Sequence, residues 1–141
     1  MADAVVFDTS AFLTLTGEEP GADTVQQFIT DALADLVVLH ASFVSLTEVE
    51  YITRQAEGEE TARQRLADIK ALPVQWHHSD DALCGKAAKL KAAHKVSFAD
   101  AFVAATAKRL DATLVHKDPE FDALAGIIKL QPLPPKAGKA K

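Results

Sequence analysis

Five short apolar runs, at residues 3–8, 36–39, 74–77, 112–115 and 127–130, are separated by stretches whose apolar residues recur at helical spacing. The runs have strand length and composition, while the stretches between them are long enough for helices. Parallel neighbours need a crossover of about a dozen residues or more, and a helix is the usual way to make one. The alternation therefore predicts an α/β fold with a mainly parallel sheet covered by helices. In such sheets ligands sit beyond the carboxyl ends of the strands. Strand order is not readable from the pattern. At 141 residues the chain is one domain's worth of sequence, enough to bury roughly 68–70% of its unfolded surface.

Local punctuation sets the element ends. Thr9 and Ser10 suit a helix start before AFLTLT, GEEPG at 17–21 is a loop, and Asp23 opens a helix with Val25, Phe28, Ile29 and Leu33 on one face. A helix is expected over roughly 42–56, Gly58 interrupts, and a further helix carries Leu66, Ile69 and Leu72 until Pro73 stops it. Ser79 or Asp80 caps a helix to about Lys91, Ser97 caps FADAFVAATAKRL, and Pro119 begins a short helix. The folded domain is expected over 1–130. Residues 131–141 have little apolar content and are expected to be a mobile basic tail.

Composition excludes several classes. Hydrophobic residues are 48% and charged residues 25%, which is ordinary for a globular chain. No apolar run approaches the ~18–20 residues that span a bilayer, and MADAVVFDTS has too short an apolar stretch for a signal peptide. A lone Cys84 makes neither an internal disulfide nor a cysteine zinc site. A soluble, cytoplasmic protein with no membrane partner is expected. Charge is unevenly spread: residues 1–70 hold 13 acidic and 4 basic side chains, and residues 71–141 hold 7 and 11. Such asymmetry marks either a partner-facing surface or simply solvated helices.

Four carboxylates stand out against this pattern. Asp8 closes the first strand, Asp100 lies inside an apolar helix three residues after Ser97, and Asp118 follows LVHK directly before Pro119. Each also has a structural explanation, Asp8 and Asp118 as helix caps and Asp100 as the third position of a capping box. Glu48 lies near the apolar boundary of its helix, whereas Glu50, about 200° further round, is expected to face solvent. If the four converge at one strand-end crevice, their mutual repulsion calls for cations. An all-oxygen set suits Mg²⁺ or Mn²⁺ and disfavours zinc.

The segments VVFDTSAFL, SLTEVEY, SFADAFVAA and LVHKDPEF occur in that order. Together they resemble the PIN-domain ribonucleases, and more narrowly the VapC toxins of toxin–antitoxin pairs, over essentially residues 3–130. The resemblance implies a PIN-like three-layer domain. It implies Asp8, Glu48, Asp100 and Asp118 as the acidic quartet holding one or two divalent ions, Mg²⁺ or Mn²⁺, with Ser10 supporting Asp8. The chain departs from the family where a hydroxyl residue often precedes the fourth acid by two positions. His116 stands there instead, as a supporting residue, a metal ligand or a strand-end histidine.

The implied activity is metal-dependent hydrolysis of RNA, with Asp8, Asp100 and Asp118 as ligands and Glu48 ligating or orienting the attacking water. His40, His77, His78 and His94 show no ligand spacing on a common face and read as structural. Lys86, Lys89, Lys91, Lys95, Lys108 and Arg109 are either phosphate contacts or a solvated face, and Lys117 is open in the same way. The resemblance also implies an inhibiting antitoxin partner and a homodimer. Phe12, Leu13, Leu15, Phe43 and Tyr51 are either core or the lining of a groove for an amphipathic antitoxin segment. Two rival readings follow from the same residues: a non-catalytic binding module, and an aspartyl-phosphate phosphatase, which usually carries a second Asp where this chain has Ser10.

Overall fold

The computed structural model describes residues 2–135. The chain runs β1 (Asp3–Phe7), α1 (Thr9–Thr16), α2 (Ala22–Leu33), β2 (Val37–Ser42), α3 (Val44–Glu57), α4 (Glu59–Lys70), β3 (Val74–His77), α5 (Asp81–Ala93), α6 (Phe98–Leu110), β4 (Thr113–His116), a 3-10 turn (Pro119–Leu124) and β5 (Lys129–Pro132). The five strands form one sheet in the order β3-β2-β1-β4-β5, and every pairing is parallel.

Side-chain alternation along the strands builds three layers. Val6 and Leu114 point into a core with α5, α6 and the 3-10 turn, including Leu83, Val103 and Phe121. Val5, Phe7 and Val115 point the other way, onto Phe12, Val25, Val49 and Ile69. A one-residue slip of either central strand would exchange these sets, so the register is strongly specified. From β1 the chain winds out to β3, then returns across β1 to add β4 and β5. This reversal places the loops after β1 and β4 beside a crevice at the carboxyl ends of those strands.

Two boundaries differ from the sequence expectation. β2 continues to Ser42, because its register with β3 pairs Ser42 with His77, and α3 starts at Val44. The last strand begins at Lys129 rather than at 127. Gly126, with φ +88°, and an Ala125–Ile128 bridge hold the preceding residues in a turn. β5 then carries Gln131 and Pro132 alongside Val115 and His116, and the buried Leu133 donates its N–H to His116 O at 2.7 Å. Residues 131–133 of the expected tail are thus built onto the sheet edge, where a proline costs no ladder bond. Residues 136–141 of that tail lie outside the described residues. No helix among the described residues is long and apolar enough to cross a membrane.

Candidate active site

The end of β1 delivers Asp8 to the crevice. Asp8 N–H continues the ladder to Val115 O at 3.0 Å, so the residue lies beside the end of β4. Its Oδ2 caps α1, accepting Ser10 N–H at 3.0 Å and the Ser10 hydroxyl. Ser10 Oγ also accepts the N–H of Lys117 at 2.9 Å, which ties the two strand ends together. The capping explanation is therefore correct for Oδ2 and incomplete for the residue. Oδ1 is buried with no hydrogen-bond partner, and Asp8 is only 3% exposed. Burial pushes its carboxyl up to about 6, against the Ser10 bonds, and the Glu48 charge adds to the rise.

Glu48, on α3, is held by α1. Thr9 Oγ1 lies 2.6 Å from Glu48 Oε1 and 2.8 Å from Ser45 Oγ. Glu50 points away and pairs with Arg54 at 2.8 Å.

Asp100 occupies the third position of α6, and its N–H goes to the Ser97 hydroxyl at 3.1 Å. In a capping box the Asp100 side chain would return to Ser97 N–H. That donor goes to Glu120 Oε1 instead, at 2.7 Å. The Asp100 carboxyl faces Glu120, Asp8 and Asp118, and burial together with these acids pushes it up to about 9. Glu120 moves the other way, held low by its contact with Asp100 and the Ser97 N–H. Asp118 caps the 3-10 turn, Oδ1 accepting Glu120 N–H at 2.9 Å.

Asp8, Glu48, Asp100 and Asp118 line one cleft of about 160 Å³ with Thr9, Ser10, Leu13 and Ile52. Among the described residues none of the four pairs with a Lys, Arg or His. The tightest acidic grouping is different: one oxygen each from Asp100, Asp118 and Glu120 lie within 4.8 Å of one another. Glu120 was not singled out by the sequence. Its signal is the spacing D-x-E after β4, which a strand-end turn folds back onto the helix start.

His116 is buried behind the cleft rather than in it. Asp118 O can only accept, so the 3.0 Å contact makes His116 Nδ1 the donor. Nε2 is buried without a partner, and the ring meets Phe121 edge-on at 5.1 Å. Burial lowers its pKa, and the ring braces the backbone at Asp118. Lys117 is occupied, its ammonium 3.1 Å from Glu19 Oε1 and 3.0 Å from Pro20 O. Lys86, Lys89, Lys91, Lys95 and Lys108 are exposed, while Arg109 is paired with Asp80 at 3.0 Å. Phe12 is core, and Tyr51 is exposed. Two of the histidines read as structural meet across the sheet, where β2–β3 pairing brings His40 Nδ1 to 2.8 Å from His77 Nε2.

The family model for the PIN domain matches residues 5–127. No curated protein matches by sequence. Among solved structures, the fold is similar to a chain of VapBC2 from Rickettsia felis bound to a DNA fragment from its promoter (TM-score 0.74, 16% identity, 93% of this chain and 99% of that one). It is similar to VapC20 of Mycobacterium tuberculosis, described as a sarcin–ricin-loop-cleaving toxin (0.70, 20%, 91% and 99%). It is also similar to a chain of a toxin–antitoxin complex from Klebsiella pneumoniae (0.63, 20%, 90% and 95%). With the family match running from β1 through β4 and taking in all four acids of the cleft, the chain belongs to the PIN domain family.

Proposed function

We propose that the chain is a divalent-metal-dependent ribonuclease and the toxin of a toxin–antitoxin pair. The observation that carries the catalytic reading is Asp8 Oδ1, a buried carboxylate oxygen without a partner in a cleft with three further acids. Burying such an oxygen unpaired is costly, and a cation bound there removes the cost. The donors are all oxygens, which fits Mg²⁺ or Mn²⁺. Asp8, Asp100 and Asp118 would hold the ion, Ser10 would keep Asp8 oriented, and His116 would keep the Asp118 turn in place.

When bound, such an ion lowers the pKa of water and neutralises charge on the phosphate. Glu48, fixed through Thr9, orients the attacking water and receives its proton. The water oxygen forms a bond to phosphorus, the bond to the leaving ribose oxygen breaks, and that oxygen is protonated from solvent. Exposed Lys91, whose positive field reaches Glu120, is placed for a neighbouring phosphate.

The toxin part of the reading is supported by the fold shared with VapC20 and with the toxin–antitoxin complex from Klebsiella pneumoniae. Leu13 and Ile52 line both the acidic cleft and an adjoining groove of about 440 Å³ along α1 and α3. An amphipathic antitoxin segment lying there could send a basic side chain into the acids. A homodimer and a cytoplasmic setting belong to the same proposal. The test is cleavage of a structured-RNA pool by the partner-free protein with Mg²⁺, Mn²⁺ or EDTA, beside folded Asp100→Asn. Metal-dependent cleavage lost in the variant is expected; cleavage that survives both EDTA and the substitution contradicts the proposal.

A further inference from the structure

We propose that Lys136, Lys139 and Lys141 grip phosphates of the RNA strand on the α1–α4 side of the acidic cleft. The inference rests on the ribonuclease reading above and names the part of the chain that positions its substrate.

The place where the chain leaves the sheet is fixed. β5 runs parallel to β4, so the chain departs at the carboxyl edge, where Asp8 and Asp118 form the cleft. The buried Leu133 donates its N–H at 2.7 Å to the carbonyl of His116, two residues before Asp118. Its side chain joins the core under α1–α4, not the core beneath α5 and α6. The α1–α2 loop closes over it: a Cβ on Gly21, at φ +100°, would meet Pro134 Cδ at 3.0 Å and Leu133 Cβ at 3.3 Å. Pro134 and Pro135 are exposed and bias the residues before them toward extended backbone. Beyond them, residues 136–141 (KAGKAK) hold three lysines and no acid. Six residues reach at most about 20 Å, which brings these ammonium groups to the rim of the cleft.

Charge is the second argument. Phosphate contacts on either side of a cleft are what hold a strand in register across it. On the α5–α6 side Lys86, Lys89 and Lys91 are exposed and make no ion pair. On the α1–α4 side Arg54, Arg63, Arg65 and Lys117 are each bound to a carboxylate at 3.1 Å or less. The remaining described lysine there, Lys70, ends α4 just before β3, at the amino edge of the sheet. Among the described residues, the α1–α4 rim of the cleft therefore has no uncommitted lysine or arginine for a phosphate. The segment after Pro135 brings three.

The competing occupant for these lysines is the acidic cleft of the same molecule, and RNA binding separates the two. The experiment follows a fluorescein-labelled single-stranded oligoribonucleotide by anisotropy in EDTA, between about 50 and 200 mM NaCl. The proteins are wild type, the triple variant Lys136→Gln, Lys139→Gln, Lys141→Gln, the same three changed to Arg, and Lys70→Gln, each checked for folding by circular dichroism. A phosphate contact to a single strand contributes about 0.7 to the steepness with which log K falls against log salt. The glutamine triple variant should therefore lose about 2 from that slope and bind about 10- to 100-fold more weakly at the lowest salt. With metal present, its KM for RNA should rise while kcat is retained. The arginine triple variant and Lys70→Gln should keep the wild-type slope. A wild-type slope in the glutamine variant overturns the inference. Tighter RNA binding by that variant does so too, placing the lysines in the cleft, and an equal loss per charge in Lys70→Gln reduces the effect to net charge and overturns it as well. None of these results touches the ribonuclease reading, which fails instead if wild type binds the RNA and cleaves none with Mg²⁺ or Mn²⁺.

Discussion

Thr9 Oγ1 donates its one proton to Glu48 Oε1 at 2.6 Å, and this fixes the direction of the chain behind it: Ser45, 2.8 Å away, must donate to Thr9. The catalytic glutamate of the proposed mechanism is therefore oriented from α1 through two hydroxyls. Thr9→Val keeps the shape and removes the donor. A lost hydrogen bond to a charged group is worth about 1.5–3 kcal/mol, so kcat for RNA cleavage should fall about 10- to 100-fold, with KM little changed. Thr9→Ser should restore most of the rate. Wild-type kcat in Thr9→Val would remove Thr9 from the account.

Stability of the metal-free protein should depend on pH through Asp8. Its folded pKa, about 6, lies above the ordinary value of 3.8. As pH rises past 3.8 the unfolded chain releases its proton first, so Asp8 lowers stability progressively up to about pH 6 and by a constant amount above. The full shift corresponds to about 3 kcal/mol. Asp100 acts in the same direction, up to about pH 9. His40, His77 and His116 act oppositely: their lowered pKa values make the unfolded chain bind protons first, so their contribution is lost below about pH 6.5. Comparing Asp8→Asn with wild type isolates the first effect. In EDTA at pH 8 the variant should be more stable by about 1–3 kcal/mol in urea unfolding, and the two should converge near pH 4. Added Mg²⁺ should stabilise wild type by more than it stabilises the variant.

The His40–His77 contact joins β2 to the edge strand β3. His77→Ala leaves a ring nitrogen of the buried His40 without its partner, which should cost about 1–3 kcal/mol. A double-mutant cycle with His40→Ala should show coupling between the two sites. Additive losses would mean that the 2.8 Å contact contributes nothing.

Lys117 lies directly between His116 and Asp118, yet its ammonium is committed to Glu19 and Pro20 O. Lys117→Ala should lower stability by about 1 kcal/mol by loosening the α1–α2 connection, while KM for RNA stays at the wild-type value. A raised KM with unchanged stability would make Lys117 a phosphate contact instead.

Much of this was legible in the sequence because local and tertiary signals agree. Short apolar runs, set off by capping residues and by the helix stop at Pro73, located the strands, and apolar periodicity broken at Gly58 located the helices. The four acids of the cleft were visible because each breaks an apolar or strand-end pattern. Strand order was not legible, since alternation fixes parallel pairing but not which neighbours pair. Glu120 was hidden for a related reason: its neighbour Ser97 is 23 residues away, and only the turn after β4 brings them together. The His40–His77 contact depends on register between β2 and β3, which no local pattern encodes. The end of β5 was misplaced because Gly126 delays the strand, and the long-range pairing with β4 carries it two residues further than its apolar run.

The central claim is that Asp8 Oδ1, buried and unpartnered, is a cation ligand. Anomalous diffraction from crystals soaked in Mn²⁺ tests it most directly. The account predicts a Mn²⁺ peak bonded to Asp8 Oδ1 in the cleft shared with Asp100 and Asp118, and its loss in Asp8→Asn crystals. A cleft with no anomalous peak at saturating Mn²⁺, or a peak unchanged in the variant, would contradict it.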